Sequence, residues 1–445
     1  MKNIKYGLWG LVLLIAGLWF LADTLLPEQP LTYFSFRNVF VQFTGILAMA
    51  TMSAAMILSA RFKWLESLLN GLDKMYRLHK WLGIAGLVFA MTHWWWAKGT
   101  KWMVGWGWLA RPPRRQGPPP DLSPIEQWLL SQRRFVESLA EWVFYAAVIL
   151  IVLALVKRFP YHLFKKTHKL LAVGYLLLVY HGAILIKISY WKQPIGWMMA
   201  LLMLGGIVTA VLVLLNRVGE IRKTTGIIDS LTYHPDLRIL ETSIRLQNGW
   251  SGHVAGQFAL VTTDKGEGPH PYTIASAWNP AEPCIVFIIK ALGDYTGKLH
   301  QSLKVGDVVT VEGPYGCFNF EDNKERQIWV GGGIGIAPFI ARMKHLAQKP
   351  RRQEIDLFHT TTDFNQAAID RLIADAQAAN VRLHVLVDSR DGLLNADRIR
   401  AAVPQWQSSS IWFSGPSAFR DALLKDFVGN GLKSSDFHQE LFELR

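Results

Sequence analysis

The sequence predicts a multidomain membrane protein, in which a six-helix transmembrane bundle precedes an antiparallel β-barrel and a parallel α/β domain. Three observations lead to this prediction. Long apolar runs fill residues 1–220, as is typical of transmembrane helices. Residues 222–320 alternate apolar and polar over short runs between Gly and Pro turns, as the strands of a small barrel do. Residues 326–445 alternate strand-like and helix-like segments, which indicates a parallel sheet covered by helices.

These patterns place three domains at residues 1–217, 218–322 and 323–445. Charge divides in the same way. Residues 1–220 contain 23 Lys and Arg against 9 Asp and Glu, whereas the remainder contains 24 against 25. A basic excess confined to the membrane half suits anionic lipid headgroups, and no base-stacking platform or basic groove motif indicates a nucleic acid partner. With only two Cys, the chain is not expected to hold a disulfide framework, a zinc site or an iron–sulfur cluster.

Six apolar segments are predicted to cross the membrane, in the order Gly7–Ala22, Phe40–Ala60, Arg77–Lys98, 140–156, Thr167–Gly182 and Ile195–Leu215. The first lacks a small-residue cleavage site, so we expect an uncleaved helix. Two basic connectors, 61–80 and 157–169, lie on one side of the membrane, and His162 in the second is expected to be a surface residue. The loop 99–138 has the Pro-rich run RPPRRQGPPP at its centre, and a short surface helix is expected after Pro124.

Two of these segments carry a His near each end. His79 and His93 are 14 positions apart, and His168 and His181 are 13 apart, so the imidazoles of each segment are separated by roughly 20 Å along a helix axis. The second spacing fits the helical period poorly and requires a bend, for which Gly174 is available. A single His on an apolar helix is more often a hydrogen-bonded packing residue. Four at matched depths predict two facing pairs that provide the axial ligands of two b-type haems.

A Gly-rich turn follows the first predicted strand of the α/β domain. Residues 331–339 read GGGIGIAPF, between a strand at Gln327–Val330 and an apolar helix. Glycines let the backbone approach a pyrophosphate, and the helix N-terminus supplies N–H groups and a positive dipole. Nucleotide binding is therefore predicted for Gly331, Gly332, Gly333, Gly335 and Pro338, and for a second turn, Ser414, Gly415 and Pro416, that faces the same crevice. Further strands are predicted at Ile355–His359, Arg382–Val387 and Ser410–Phe413.

Three motifs in the barrel indicate a flavin. In HPYTIAS, residues 270–276, Tyr272 is suited to stacking on an isoalloxazine ring and Thr273 to bonding its edge near N5. KALGDYT, residues 290–296, offers a Lys, a Gly turn and a Thr hydroxyl for a pyrophosphate, and GPYG, residues 313–316, is a tight turn that closes the barrel. Each motif alone fits an ordinary strand and turn, but together and in this order they predict FAD. The candidate flavin-binding residues are His270, Pro271, Tyr272, Thr273, Ser276, Lys290, Gly293, Thr296, Gly313 and Gly316.

These motifs resemble those of the NADPH oxidase and ferric reductase superfamily, in particular its prokaryotic NADPH-oxidase-like members. The resemblance covers nearly the whole chain, apart from a longer loop 99–138, and includes an aromatic near the C-terminus that Phe442 in HQELFELR matches. It implies a six-helix haem domain followed by a ferredoxin-reductase-like FAD and NADPH unit, in the inner (plasma) membrane with both termini cytoplasmic. It also implies that Phe442 lies against the flavin. Ser414 stands where many relatives carry Cys near the nicotinamide, so both residues are catalytic candidates.

The function that the resemblance implies is transmembrane electron transfer from cytosolic NADPH through FAD and two b-type haems to an acceptor on the outer side. With oxygen as acceptor the product is superoxide, and with a ferric chelate the chain is a ferric reductase. A quinone or a periplasmic redox protein remains an alternative, since nothing in the sequence selects among them. No obligatory protein partner is evident. The non-enzyme alternative is a haem-free membrane anchor or scaffold, which a purified protein without Soret absorption would favour.

A last motif bears on the choice of nucleotide. Residues 385–391 read VLVDSRD after a predicted strand. In plant-type ferredoxin reductases a similar Ser-Arg pair binds the adenosine 2′-phosphate, so the resemblance implies that Ser389 and Arg390 favour NADPH, with NADH possible. The planar guanidinium suits a phosphate because it donates two parallel hydrogen bonds. Asp388 and Asp391 flank the Arg, and their carboxylates can neutralise it.

Overall fold

The computed structural model describes residues 2–25, 32–110, 123–156, 158–247, 249–264 and 266–440. The chain divides into two units, one helical and one built on two sheets. Of the described residues, the first unit takes in those up to Leu69 and Lys74–Val218, and the second takes in Asn70–Asp73 and those from Gly219 to Glu440. This division lies next to the predicted boundary after residue 217, whereas the predicted boundary after residue 322 falls inside the second unit.

Long helices make up the first unit. They are α1 (Lys2–Ala22), α2 (Tyr33–Ser59), the short α3 (Lys63–Leu69), α4 (Leu72–Gly105), α5 (Pro124–Leu155), α6 (Tyr161–Leu185) and α7 (Pro194–Leu214). Within the described residues, α1, α2, α5, α6 and α7 are long and apolar enough to cross a membrane. Helix α4, which contains His79 and His93, does not reach that hydropathy, because Trp, His and Lys residues interrupt its apolar run. Five of the six predicted spans are therefore supported by composition.

Two local predictions in this unit were wrong. The short surface helix after Pro124 and the span that follows it form one continuous helix, α5, whose start is fixed by Ser123. The Ser123 hydroxyl accepts from the main-chain N–H of Glu126, and the Glu126 carboxylate accepts from the N–H of Ser123, so two otherwise unpaired donors are satisfied. His162 belongs to α6 and not to a loop, because α6 begins directly after Pro160. The Pro-rich centre of the loop, residues 111–122, lies outside the described residues.

Side chains of α1, α2, α6 and α7 pack together as the core of this unit. At its centre, the buried hydroxyl groups of Ser53 and Tyr175 are 2.9 Å apart. The Tyr175 hydroxyl lies so close to Gly206 that a Cβ there would be 1.9 Å away, so only glycine fits at this helix crossing. The hydrogen bond gives the buried Tyr a polar partner and ties α6 to α2.

The second unit contains a six-stranded antiparallel sheet in the order β4-β3-β6-β1-β2-β5. Its strands are β1 (Lys223–His234), β2 (Ile239–Leu246), β3 (Phe258–Thr262), β4 (His270–Thr273), β5 (Cys284–Lys290) and β6 (Val308–Tyr315), with α8 (Asp294–Ser302) after β5. An antiparallel bridge between Ile274 and Phe287 joins the two outermost strands of this order. Buried residues alternate with half-buried ones along β5, so one face of the strand belongs to the core.

A five-stranded parallel sheet follows, in the order β11-β10-β7-β8-β9. Its strands are β7 (Arg326–Gly332), β8 (Glu354–Thr361), β9 (Arg382–Val387), β10 (Ser410–Ser414) and β11 (Phe437–Gln439). Its helices are α9 (Ala337–Gln348), α10 (Gln366–Ala378), α11 (Asp388–Asp391), α12 (Ala396–Ala402) and α13 (Ser417–Gly429). Single 3₁₀ turns lie at Ile188–Lys192, Glu220–Arg222, Gly333–Ile336, Trp406–Ser408 and Ser434–Asp436. The strand order reverses between β7 and β10, and in such sheets ligands bind at the carboxyl ends beside that reversal.

Candidate functional site

Four of the five His of the helical unit form two pairs. His79 of α4 faces His168 of α6 with ring centres 6.0 Å apart, and His93 faces His181 at 6.3 Å. Two imidazoles that bind one metal ion from opposite sides, with metal–nitrogen bonds of about 2 Å, place their ring centres about 6 Å apart. The structure therefore brings together the pairs that the sequence predicted, including the one with the unfavourable spacing.

Main-chain oxygens orient three of these rings. Nδ1 of His79 lies 2.8 Å from the carbonyl oxygen of Ala55, Nδ1 of His93 lies 2.9 Å from that of Val41, and Nδ1 of His181 lies 3.3 Å from that of Val136. A carbonyl oxygen only accepts, so Nδ1 carries the proton and Nε2 keeps its lone pair. This is the tautomer that a metal ligand needs.

His168 is held in a different way. Its Nδ1 is buried and has no hydrogen-bond partner among the described residues. Its ring instead stacks on Phe164, with ring centres 5.0 Å apart and an angle of 24° between the planes. Packing alone therefore fixes the orientation of this ring.

Gly45 makes room for the ring of His93 in the His93–His181 pair. The sequence patterns did not predict this role. A Cβ at Gly45 would lie 3.0 Å from both Cε1 and Nδ1 of His93. The missing side chain lets the ring lie flat against α2 and reach Val41 four residues earlier. Within the described residues, no group of three or more His, Cys, Asp or Glu is suited to a metal ion. A ligand set of two trans imidazoles fits an iron whose four equatorial ligands come from a porphyrin.

The barrel motifs meet around two contacts in the antiparallel sheet. Thr273 of HPYTIAS and Tyr315 of GPYG are both register partners of Phe258, so these motifs flank β3. The ring of His270 stacks on Tyr295 of KALGDYT, with centres 4.2 Å apart and planes 16° apart. The contact with Tyr295 was not predicted, because it joins two motifs that are separated by a strand.

Tyr272 has the surroundings of a residue that faces a ligand. Its ring packs beside Phe287, with centres 6.0 Å apart, and its buried hydroxyl has no partner among the described residues. Burial raises the pKa of this hydroxyl, so it stays protonated and available as a donor. Ser276 is fixed on two sides, since its carbonyl oxygen accepts from Nε2 of His253 at 3.0 Å and its hydroxyl accepts from the N–H of Val286 at 3.1 Å.

The groups proposed for a pyrophosphate in KALGDYT already have protein partners. Nζ of Lys290 lies 2.5 Å from the Asp363 carboxylate, in the loop after β8. The Thr296 hydroxyl accepts from the N–H groups of Leu292 and Gly293, both at 3.1 Å, and caps α8. The Lys290 ammonium has three N–H donors, so a phosphate here would share it with Asp363.

The Gly-rich turn and the Ser-Gly-Pro turn are in direct contact at the carboxyl ends of β7 and β10. A Cβ at Gly335 would lie 2.1 Å from the carbonyl oxygen of Ser414, and a Cβ at Gly332 would lie 2.9 Å from Cδ of Pro416. Gly333 has φ of +54°, in the region that favours glycine. Helix α9 begins directly after this turn, with Pro338 in its first turn. The Ser414 hydroxyl is buried beside these glycines and has no partner among the described residues.

His359 also belongs to this edge, although the sequence did not single it out. It is the register partner of Gly331 in β7, and Gly331 is in turn the partner of Ser414. Nδ1 of His359 donates to the carbonyl oxygen of Gly331 at 3.1 Å. Burial holds the pKa of His359 below its ordinary value, although the bond to Gly331 and the charge of Asp388 oppose this effect.

Arg390, the candidate for the 2′-phosphate, is bound to its neighbour. Nε and Nη2 of Arg390 donate to the two carboxylate oxygens of Asp391, at 3.0 Å and 2.9 Å. Ser389 lies exposed beside it in α11. Phe442, the aromatic predicted to cover the flavin, lies outside the described residues.

Comparison with known proteins gives these sites a context. The family described as "Ferric reductase like transmembrane component" matches residues 44–179. A superoxide-generating NADPH oxidase heavy chain of Dictyostelium discoideum is 29% identical over 262 residues, which cover 52% of this chain and 46% of that protein. The glycine betaine monooxygenase reductase subunit of Chromohalobacter salexigens is 25% identical over 205 residues, or 42% of this chain and 55% of that protein.

Among solved structures, a cytochrome P450 reductase from Amycolatopsis matches with a TM-score of 0.44 and 22% identity, over 50% of this chain and 70% of that chain. The present chain spans about half the length of the curated relatives it matches. The family match covers α4 and three of the paired His, and the oxidase heavy chain supports the same assignment. The predicted resemblance to the NADPH oxidase and ferric reductase superfamily is thus confirmed by the family match over residues 44–179 and by the oxidase heavy chain.

Proposed function

We propose that this chain is an oxidoreductase that takes electrons from a reduced nicotinamide nucleotide and delivers them across the membrane to an acceptor on the outer side. The observation that carries the proposal is the pair of facing imidazoles at each of two depths, with ring centres 6.0 Å and 6.3 Å apart. The same chain carries a nucleotide-type crevice at the edge of a parallel sheet. The helical unit is proposed to be a six-helix haem bundle, with α4 as the sixth span, and the antiparallel sheet a FAD-binding barrel.

In the sheet-built unit, the chain binds and orients the reacting rings. The N–H groups of the Gly331–Gly335 turn and the start of α9 bind the nucleotide pyrophosphate. The Ser414 hydroxyl, buried and unpartnered among the described residues, orients the nicotinamide. Tyr272 packs against the isoalloxazine ring, and Thr273 bonds its edge. The tight contact between the two turns holds both sides of the nucleotide crevice in place.

In the membrane unit, the chain would supply the imidazole ligands of the haems. His79 with His168 and His93 with His181 would each hold one b-type haem through Nε2. When bound, FAD accepts a hydride and releases electrons singly, and the haems carry single electrons. No side chain is needed as an acid or base at the outer end, so the chain acts there through ligation, distance and access.

The outer acceptor remains open between two chemical classes. Oxygen is favoured, because the Dictyostelium relative is described as generating superoxide, and a ferric chelate fits the description of the family matched by residues 44–179. A quinone or a periplasmic redox protein is the runner-up. A haem-free anchor is the non-enzyme alternative. We propose the inner (plasma) membrane as the location, with both termini cytoplasmic.

The test is a spectral titration of the purified full chain in lipid nanodiscs. We expect a Soret band with two haems per chain, bound FAD, and anaerobic bleaching of the flavin followed by haem reduction on addition of NADPH or NADH. Superoxide release and ferric chelate reduction on admission of either acceptor then separate the two classes. A protein that carries FAD but no Soret band contradicts transmembrane transfer and supports the anchor.

The C-terminal aromatic needs a test of its own. If Phe442 shields the flavin face where nicotinamide stacks, removal of residues 442–445 changes the flavin absorption spectrum and the affinity for nucleotide. Unchanged values for both would show that Phe442 does not cover the flavin.

A further inference from the structure

The turn after β9 contains three charged residues, Asp388, Arg390 and Asp391, and the last two are hydrogen-bonded to each other. Arg390 donates through Nε and Nη2 to both oxygens of Asp391, which is the two-pronged geometry it would use on a phosphate. The Asp391 oxygen that takes Nη2 also accepts from the main-chain N–H of Val387 at 2.8 Å. The carboxylate is therefore held at the end of β9 by the backbone and does not swing away with the Arg.

The Arg390 side chain also contacts an aromatic ring. Its guanidinium carbon lies 5.9 Å from the ring centre of Phe364, in the loop after β8. A guanidinium over an aromatic ring is attracted by the ring face, so Phe364 and Asp391 together keep Arg390 over the loop. In this position the two donors that best fit a phosphate are both occupied by Asp391.

The surrounding charges oppose an incoming phosphate. Asp388 begins α11 and accepts from the Thr360 hydroxyl at 2.6 Å, so its carboxylate is fixed at the same edge. Asp388 and Asp391 offset the positive charges of Arg390 and Arg398, so the turn has no net positive charge to attract a 2′-phosphate, which brings up to two negative charges. Arg398 donates to the carbonyl oxygens of Asp391, Gly392 and Leu393, and thereby fixes the turn.

We propose that Asp391 is the residue that sets nucleotide specificity, by occupying the Arg390 fork and so suppressing discrimination in favour of NADPH. This inference rests on the proposed function, because it assumes that the carboxyl edge of the parallel sheet binds the nucleotide. The ribose 2′-hydroxyl of NADH is neutral and can donate to Asp388 or Asp391, whereas the 2′-phosphate of NADPH must displace Asp391 to use the fork formed by Nε and Nη2 of Arg390. Wild-type protein therefore uses both nucleotides at similar efficiency.

The test measures kcat/KM for anaerobic flavin reduction by NADPH and by NADH in the full chain. Asn at position 391 keeps an oxygen for the Val387 N–H and removes the charge that binds Arg390. We expect Asp391→Asn to raise the NADPH-to-NADH ratio about 10- to 150-fold, as one charged hydrogen bond regained by the phosphate would. The same change in an Arg390→Ala background should leave the ratio unaltered. Asp397→Asn is the matched control, because it removes an exposed Asp that pairs with Arg400 in the same domain.

Binding of 2′,5′-ADP and of 5′-AMP, measured by calorimetry on the same variants, provides a second measurement that does not need hydride transfer. Tighter binding of 2′,5′-ADP alone in Asp391→Asn supports the inference. An unchanged ratio, or an equal rise in the Arg390→Ala background, overturns it, since general charge and not release of Arg390 would then be responsible. If neither nucleotide reduces the flavin, the proposed function fails, while 2′,5′-ADP binding still decides the role of Asp391. Failure of every variant to bind 2′,5′-ADP overturns the inference as well.

Discussion

His359 donates its Nδ1 proton to the carbonyl oxygen of Gly331, at 3.1 Å, and so ties the end of β8 to the first glycine of the nucleotide turn. The two residues are also register partners across neighbouring strands. A side chain that bonds the backbone of a phosphate-binding turn affects nucleotide binding without touching the phosphate.

His359→Phe keeps a ring of similar size and removes the donor. We expect KM for the nucleotide to rise about three- to tenfold, the effect of one hydrogen bond, with kcat for flavin reduction nearly unchanged. Steady-state kinetics with an artificial acceptor measure both. A fall in kcat at constant KM would show that His359 acts on the hydride step and not through the turn.

The same residue predicts a dependence of stability on acid. Burial lowers the pKa of His359 in the folded protein, so the unfolded chain takes up a proton first. Neutral His359 contributes fully to the free energy of unfolding above the ordinary His pKa of about 6.5. This contribution is lost as the pH falls from that value toward the lower pKa of the folded state. Thermal unfolding of wild type and His359→Phe in nanodiscs between pH 5 and 8 measures it. The variant should lose less stability in acid, and parallel curves would exclude the effect.

Two Ser residues on β10 predict opposite consequences of the same substitution. Ser410 donates to Asp322 at 2.5 Å, whereas the equally buried Ser414 hydroxyl has no partner among the described residues. Ser410→Ala should lower the free energy of unfolding by about 1–3 kcal/mol, since it removes one donor from the half-buried Asp322 carboxylate, and should not change flavin reduction. Ser414→Ala should leave stability unchanged and slow flavin reduction about tenfold. Loss of stability without a kinetic effect in Ser414→Ala would exclude it from the nicotinamide site.

Substitution in the His93–His181 pair is expected to change the number of haems bound per chain. His93→Ala removes one of two trans ligands, and we expect the haem-to-protein ratio to fall by half while flavin reduction by nucleotide stays intact. Pyridine haemochrome assay against protein concentration measures the ratio, with His234→Ala in the sheet-built unit as the control. Haem content unchanged in single variants of all four paired His would mean that the assignment of ligands is wrong.

Substitution of Gly45 tests the His93–His181 pair without removing either imidazole. A methyl group in Gly45→Ala would meet the His93 ring at 3.0 Å and push Nδ1 away from Val41. We expect a shift in the Soret maximum and either a raised midpoint potential or partial loss of the haem that His93 would hold, because a weaker hydrogen bond from Nδ1 makes the imidazole a poorer donor to ferric iron. Gly83→Ala, on α4 with no atom within 4 Å of the new methyl group, is the matched control and should be neutral or slightly stabilising. Identical spectra for the two variants would contradict the packing of His93 on α2.

Much of this arrangement was predictable, because it is written in short-range patterns. Strand β7, the Gly turn and α9 follow one another within 25 residues, and the His spacings gave the depths of both pairs. Helix α4 was found through its His and Trp residues rather than through its hydropathy, which is lower than that of the other long helices.

The contacts that were missed join distant positions. Gly45 and His93 are 48 residues apart, and His359 and Gly331 belong to different strands, so no local pattern marks either pair. The contact between Arg390 and Asp391 was predictable only in part. The sequence showed that Asp391 was a neighbour, but only the folded structure shows that both donors of the Arg point to it.

Helix α6 contributes one imidazole to each pair, while α4 contributes the other two. The chain emerges from the ribosome with α4 first, so neither His pair exists until α6 has been inserted, and both are then completed by one insertion event. Assembly of the two proposed haem sites is thereby coupled. A nascent chain arrested before α6 carries no complete centre, and it cannot accumulate with one centre loaded and the other still to be synthesised.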